Sequence, residues 1–262
     1  MTSISLHPLP DRGGIMRQQI SAVAVALRKE RRIFFAVLGV LVVLGIAGAV
    51  RGAGNHHGMG FSYTVGISIP MVLAALILPF SIWRGEDPAR RTYHWAMPIA
   101  RGPHTLMKVL AGWLWLMVAT IVYLLVMVAL GAAVGYITGS VYEHAQVPAW
   151  QWLVPFTATT IAYFLVTVTV VASDHPWAWI GGILAGYAVV LLLLQALDMR
   201  DVARTLGKVV DGQYGLTAAL FGHLHDAQLG GPSTDRWLGS VSIWGTIALA
   251  GVVTAAYRRR QM

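Results

Sequence analysis

Residues 109–137 read VLAGWLWLMVATIVYLLVMVALGAAVGYI, and these 29 residues include no Asp, Glu, Lys, Arg or His. An α-helix needs about 20 apolar residues to cross the hydrocarbon core of a bilayer, because it rises about 1.5 Å per residue. A charged side chain at the middle of such a helix costs about 2.5–3.5 kcal/mol on insertion. The stretch therefore predicts a transmembrane helix, long enough to tilt or to project beyond the bilayer.

Five more stretches have the same character, and each is free of charged residues and histidine. They are 33–50, 61–83, 150–172, 177–197 and 237–257. The six stretches together hold 135 residues, and every charged residue and histidine falls in the other 127. A soluble protein with six buried helices would lack polar surface. The sequence predicts an all-α membrane protein, a single transmembrane domain over 1–262 with six spanning helices.

The composition of the whole chain agrees with this fold class. Charged residues make up 11% of the 262 residues and hydrophobic residues 56%, whereas soluble domains average about 25% charged. So hydrophobic a chain is not expected to be intrinsically disordered. It contains no cysteine, which excludes disulfides, thiolate metal sites and cysteine nucleophiles.

The distribution of lysine and arginine predicts the orientation of the protein. If the six stretches cross the membrane in turn, 14 of the 19 basic residues share the side that carries both termini, and five lie opposite. Basic residues accumulate on the cytoplasmic side of membrane proteins. We therefore expect a multi-pass protein of the cell's inner (plasma) membrane with both termini in the cytoplasm. The net charge of +8 then reflects topology and attraction to membrane lipid, not a nucleic-acid site.

Most tryptophans lie at or near the ends of the apolar stretches. Indole favours the headgroup region, so these positions predict aromatic belts rather than a ligand-binding box. The residues are Trp83, Trp113, Trp115, Trp150, Trp152, Trp177, Trp179 and Trp237.

An amphipathic helix is predicted ahead of the first span, over residues 15–32. Met16, Ile20, Val23 and Leu27 recur at spacings of four, three and four and form one apolar stripe. Such a helix lies flat in the cytoplasmic interface. The alternative is a cytosolic continuation of the first spanning helix.

The connection between the second and third spans is predicted to contain a short cytosolic helix over 86–97. Asp87 fits an N-cap and Pro88 a first helical position, while Pro98 and Gly102-Pro103 would end the helix. Exposed aromatic residues among charges on a short rigid element indicate a docking surface for another protein. The helix would display Arg90, Arg91, Tyr93, His94 and Trp95. A basic loop that only sets topology is the alternative.

The 39 residues of 198–236 form the longest connection, on the outer side. Met199, Val202, Leu206, Val209 and Val210 form one apolar stripe, and the apolar run 216–221 is too short to span. We expect two short helices, one lying on the outer interface and one dipping into the membrane.

The chain lacks the motifs of several reaction classes. It contains no phosphate-binding Walker A sequence, no HExxH zinc motif and no GxSxG elbow. The apolar stretches hold no carboxylate or histidine for a proton relay or for intramembrane proteolysis. We predict no catalytic residue, cofactor or metal in this chain. The weak metal candidates, whose simpler interpretation is solvated loop histidines, are His56, His57, His223 and His225.

This layout resembles the membrane subunit of ABC-2 type transporters. The shared features are an amphipathic N-terminal helix, six spans, a cytosolic helix between spans two and three, and short outer helices between spans five and six. The family's run of an acid, Thr, small-Pro, Arg and Lys before span three is similar to Arg84-Gly85-Glu86, Thr92, Met97-Pro98-Ile99-Ala100-Arg101 and Lys108-Val109-Leu110-Ala111-Gly112.

The resemblance implies a permease subunit of an ATP-driven ABC transporter that is not itself an enzyme. A separate cytosolic ATPase subunit would bind ATP and Mg²⁺, dock against 86–97 as a coupling helix and rock the membrane helices. A second permease, identical or related, would enclose the transport path together with this chain. We expect export of an amphipathic, peptide or lipid-like substrate. The ATPase contact would be carried by Glu86, Asp87, Arg90, Arg91, Tyr93 and His94.

Other functional classes stay open at this point. A secondary transporter is disfavoured by the charge-free helices and by the lack of an evident inverted repeat. A membrane enzyme or assembly scaffold is the other alternative, and an enzyme would need convergent polar groups at one depth. The dense hydroxyl set, whose members more often bond to backbone, is Thr157, Thr159, Thr160, Thr167 and Thr169.

Overall fold

The computed structural model describes residues 14, 16–25, 28, 39, 63–83, 101–138, 149–221 and 234–258. Within these ranges all regular elements are helices and no strand occurs, so the all-α fold class is confirmed. Residues 16–25 are helical and are named here the N-terminal helical segment. The other elements are α1 (Tyr63–Trp83), α2 (Arg101–Thr138), a 3₁₀ turn (Ala149–Leu153), α3 (Val154–Ala172), α4 (Pro176–Ala196), α5 (Arg200–Asp211), α6 (Leu216–Phe221) and α7 (Thr234–Arg258).

Four of the described helices are long and apolar enough to cross a membrane. They are α2, through its part Gly102–Ala129, and the whole of α3, α4 and α7. In α1 the side chains are described from Pro70 to Trp83, and this stretch is apolar as well. The first predicted span, 33–50, lies outside the described residues except for Gly39. Four such helices indicate a membrane protein, and the arrangement of six spans remains a prediction.

Helix α2 starts eight residues before the apolar stretch that predicts it. Its 38 residues extend about 57 Å, nearly twice the thickness of the hydrocarbon core. Arg101 and Lys108 lie in its first turns, because a helix can continue into water beyond its apolar part. Gly102-Pro103, which the sequence suggested as a helix end, lies in the first turn of α2, where proline loses no helical hydrogen bond.

Helix α3 is the central helix of the bundle. Eleven of its 19 residues are buried, and it contacts α1, α2, α6 and α7. The main core joins Ala162 of α3 to Ala75 of α1, Ala111 of α2 and Val252 of α7. Small side chains at such positions let helices approach closely in a membrane, where packing replaces the hydrophobic effect as the main attraction.

Helix α4 stands apart from this bundle although it is equally apolar. None of its residues is buried. It contacts α3 and α5, its neighbours along the chain, and Trp177 at its start stacks on Phe80 of α1 with ring centroids 4.0 Å apart. Ile180 also packs against the main core, and most of the remaining apolar surface of α4 is left uncovered by the described part of the chain.

Two short helices follow α4 and differ in burial. No residue of α5 is buried, whereas Ala218 and Ala219 of α6 are 6% and 0% exposed. Helix α6 contacts α1, α3 and α7, and the Ser240 hydroxyl of α7 donates to the Gly215 carbonyl at 2.7 Å. The described part of 198–236 thus has one exposed amphipathic helix and one short helix packed in the bundle.

Candidate functional site

The C-terminal end of α1 contacts α2 near the start of that helix. Nζ of Lys108, on α2, lies 4.3 Å from the ring centroid of Trp83, the last residue of α1. The negative face of an indole ring attracts a cation at this distance. The last residue of α1 therefore lies against α2, seven residues after the first residue of that helix.

The N-terminal helical segment packs at the same end. Nε2 of Gln19 lies 2.8 Å from Nε2 of His104, and the indole N–H of Trp115 donates to the Ile20 carbonyl at 3.3 Å. Val23 is 1% exposed and belongs to the main core, against which Ile20 packs. Ile20 and Val23, two residues of the predicted apolar stripe, therefore contact protein. Helical periodicity shows that a face is apolar, but it does not show whether protein or lipid covers that face.

The residues predicted to contact an ATPase lie outside the described ranges, between Trp83 and Arg101. They are Glu86, Asp87, Arg90, Arg91, Tyr93 and His94. The coupling helix and its contact residues therefore stay predictions, while the structure describes the helix ends on either side.

No cluster of three or more His, Cys, Asp or Glu residues that could hold a metal ion occurs in the described ranges. His56, His57, His223 and His225 lie outside those ranges and stay candidates from the sequence alone.

The buried hydroxyl groups of α2 and α3 bond within the protein. Thr120, Thr159 and Thr167 are each 0% exposed, and each donates to the carbonyl four residues earlier in its own helix. Thr160 accepts a hydrogen bond from the indole N–H of Trp113 at 3.0 Å. Such bonds satisfy a hydroxyl in an apolar setting. These threonines support helix packing, and they do not converge on a reaction centre.

Helix α4 combines exposed apolar side chains with a row of small residues. Leu184 and Leu192 are each 65% exposed. Ala178, Gly182 and Gly186 follow at four-residue spacing, and a Cβ atom added at either glycine would have no atom within 4 Å. Small residues at this spacing let a second transmembrane helix approach closely.

A cleft of about 610 Å³ separates the end of α4 from one face of α5. No motif in the sequence marks the residues that line it. The available signal was a pair of arginines four residues apart at the start of an amphipathic helix that follows a span. The lining residues are Leu191, Gln195, Arg200, Ala203, Arg204 and Gly207.

Three features of the described residues thus bear on function: the junction of α1 with α2, the uncovered face of α4 and the cleft between α4 and α5. In comparisons with known proteins, no protein-family model, no curated protein and no solved structure matches this chain. Its function has to be inferred from its own residues and their geometry.

Proposed function

We propose that this chain is the membrane-spanning permease subunit of an ATP-driven transporter of the ABC-2 type, energised by a separate cytosolic ATPase. The observation that carries the proposal is the contact between Trp83 and Lys108. A basic, aromatic-containing segment, 84–100, joins two helices that contact each other through the last residue of α1 and the second turn of α2. A protein bound to that segment would act on both helices at once.

Helix α2 supports a mechanical role for this junction. It runs for 38 residues without a break, so a displacement at Arg101 would reach the opposite end of the bundle. The N-terminal helical segment is tied to the same region through Gln19 and His104. Docking of an ATPase at 86–97 would therefore move α1, α2 and the N-terminal helical segment together.

The transport path is proposed to run between two permease chains. In the described ranges the buried polar side chains are four threonines and one serine, and the hydrogen bonds of Thr120, Thr159, Thr167 and Ser240 are made to backbone carbonyls. The interior of one chain is thus poorly suited to a polar substrate. The uncovered face of α4, with Gly182 and Gly186, suits a second copy. Export of an amphipathic, peptide or lipid-like substrate between such surfaces fits best.

Purification of the tagged full chain from its own cell membranes in a mild detergent, followed by mass analysis, tests the proposal. We expect a soluble ATPase to co-purify in a fixed ratio. A chain that purifies alone and catalyses a reaction would identify a membrane enzyme. A chain that transports alone, driven by an ion gradient, would identify a secondary transporter.

Charge reversal at Arg90 and Arg91 is expected to lower the recovered ATPase per chain about tenfold or more. Acidic residues of the ATPase that pair with these arginines would then face like charges, which cost several kcal/mol across an interface. Any ATPase that stays bound should hydrolyse ATP without driving transport. The matched control reverses Arg258 and Arg259, which removes as many basic residues from the same predicted side. An ATPase that stays bound and coupled in the Arg90→Glu/Arg91→Glu protein would contradict the assignment.

A further inference from the structure

The cleft between α4 and α5 brings an apolar helix end against a charged helix face. Leu191 and Gln195 come from the last turns of α4. The opposite wall is one face of α5, because residues spaced by three, four and seven positions lie on the same side of a helix. These residues are Arg200, Ala203, Arg204 and Gly207.

Two guanidinium groups are the charged groups in the lining of this cleft. Nε of Arg200 lies 2.8 Å from Oδ1 of Asp198, and Nη1 of Arg204 lies 3.5 Å from Oδ1 of Asp201. All four side chains are at least 71% exposed, and ion pairs this exposed contribute little. Each guanidinium retains further N–H donors beyond its contact with an aspartate, so phosphate oxygens can still bind.

The cleft lies where a spanning helix ends. Helix α4 is apolar and 21 residues long, so its end falls near the bilayer surface, and α5 begins four residues later. Val202 and Val209 are 45% and 54% exposed on the face of α5 opposite the arginines. Arg200 and Arg204 lie on the face turned toward the end of α4, which sets them at the border between hydrocarbon and headgroups.

We propose that this cleft binds the phosphate group of an anionic phospholipid, with Arg200 and Arg204 donating to its oxygens and the acyl chains lying along α4. The planar guanidinium matches phosphate with two parallel hydrogen bonds. No carboxylate lines the cleft to hold the ammonium of a zwitterionic headgroup, and free phosphate would gain nothing from Leu191. The inference requires a membrane protein, and it does not depend on the permease assignment.

Native mass spectrometry of the purified full chain tests this site with phosphatidylglycerol and with phosphatidylcholine of the same acyl chains. We expect phosphatidylglycerol to bind more tightly. Arg200→Gln/Arg204→Gln should weaken its binding about tenfold or more, because charge-assisted hydrogen bonds are lost. Gly207→Leu should weaken it similarly with both arginines present, because the added side chain fills the cleft from a position with no atom within 4 Å of its Cβ.

Lys208→Gln is the matched control, since Lys208 is a basic residue of α5 that does not line the cleft. It should bind phosphatidylglycerol as the unmodified chain does. Unchanged binding in either cleft variant, or an equal loss in Lys208→Gln, would overturn the proposal. Equal binding of the two lipids would also overturn it. So would competition by inorganic phosphate at the concentrations at which the lipid binds, which would identify a site for soluble anions. The thermal midpoint of each variant, expected to be unchanged at these surface positions, verifies folding.

Discussion

Gly112→Leu is expected to prevent most of the protein from assembling its helix bundle. Gly112 lies on α2 facing α1 and α3, and an added Cβ would overlap the Tyr163 hydroxyl and lie 2.6 Å from Cδ1 of Ile82. Tyr163 and Ile82 are 0% and 4% exposed, so both contacts lie inside the packed bundle. Overpacking a tight core costs about 1–3 kcal/mol, and leucine at a glycine position belongs at or above the upper end. The monodisperse fraction and the thermal midpoint in detergent measure the loss.

A smaller substitution at the same position decides whether the close approach is real. Alanine is favoured over glycine in a helix by about 1 kcal/mol, so Gly112→Ala would stabilise the protein if there were free space around position 112. We expect it to destabilise instead by about 1–2 kcal/mol, because the clash outweighs the propensity. Gly245→Leu on α7 is the matched control, since a Cβ there has no atom within 4 Å, and helix propensity should make this variant more stable by about 0.5–1 kcal/mol. A Gly112→Ala protein at least as stable as the unmodified chain would refute the packing.

Tyr163→Ala should cause the next largest loss of stability. The Tyr163 hydroxyl donates to the Val109 carbonyl at 3.0 Å, and its ring belongs to the main core. Truncating an aromatic residue in a soluble core costs about 3–5 kcal/mol. Lipid is as apolar as this core, so the transfer contribution is small and the cavity and lost packing remain. We therefore expect about 2–3 kcal/mol, measured as a shift of the thermal midpoint in detergent.

Tyr163→Phe separates the hydrogen bond from the packing. Hydrogen bonds between transmembrane helices contribute about 0.6 kcal/mol on average, so this variant should lose little stability. Removing the hydroxyl also relieves part of the overlap with a residue at 112. The double variant Gly112→Ala/Tyr163→Phe should therefore be more stable than the sum of its single effects. Strict additivity would show that the two positions are not in contact.

Absence of charge predicted much of the helical structure. The stretches 150–172, 177–197 and 237–257 differ by only a few residues from α3 with its 3₁₀ turn, from α4 and from α7. The least accurate boundary is the start of α2, where Arg101 and Lys108 are helical although they precede the apolar stretch. Charge reports where the bilayer ends, and the backbone hydrogen bonds of a helix do not have to end there.

The tryptophans show the same limit of sequence reasoning. Trp177 and Trp179 are 66% and 61% exposed, as residues of an aromatic belt would be. Trp83 and Trp237 are 8% and 2% exposed and are packed in the protein. Position relative to a span end predicts the depth of a side chain in the membrane. It does not predict whether the side chain faces lipid or another helix.

The two candidate sites also differ in how far the sequence predicts them. The ATPase contact is a sequence prediction, carried by charge, aromatic residues and turn signals in 84–100, and the structure adds the contact of Trp83 with Lys108 beside it. The cleft at Arg200 and Arg204 could not be predicted, because it depends on the angle at which α5 turns back on α4. No local pattern encodes that angle.

The sequence by itself determined which residues can enter a membrane, because the cost of transferring a side chain from water depends mainly on that side chain. Only the tertiary structure decided which apolar faces meet. Helices α3 and α4 are both long and apolar enough to span a membrane. Yet 61% of the apolar segment of α3 is buried inside the protein, and none of the apolar segment of α4 is buried. Lipid and protein interior are nearly equivalent solvents for an apolar residue, so hydropathy cannot separate the two helices. Close packing separates them, at residues such as Gly112 and Tyr163 where one shape has to fit another.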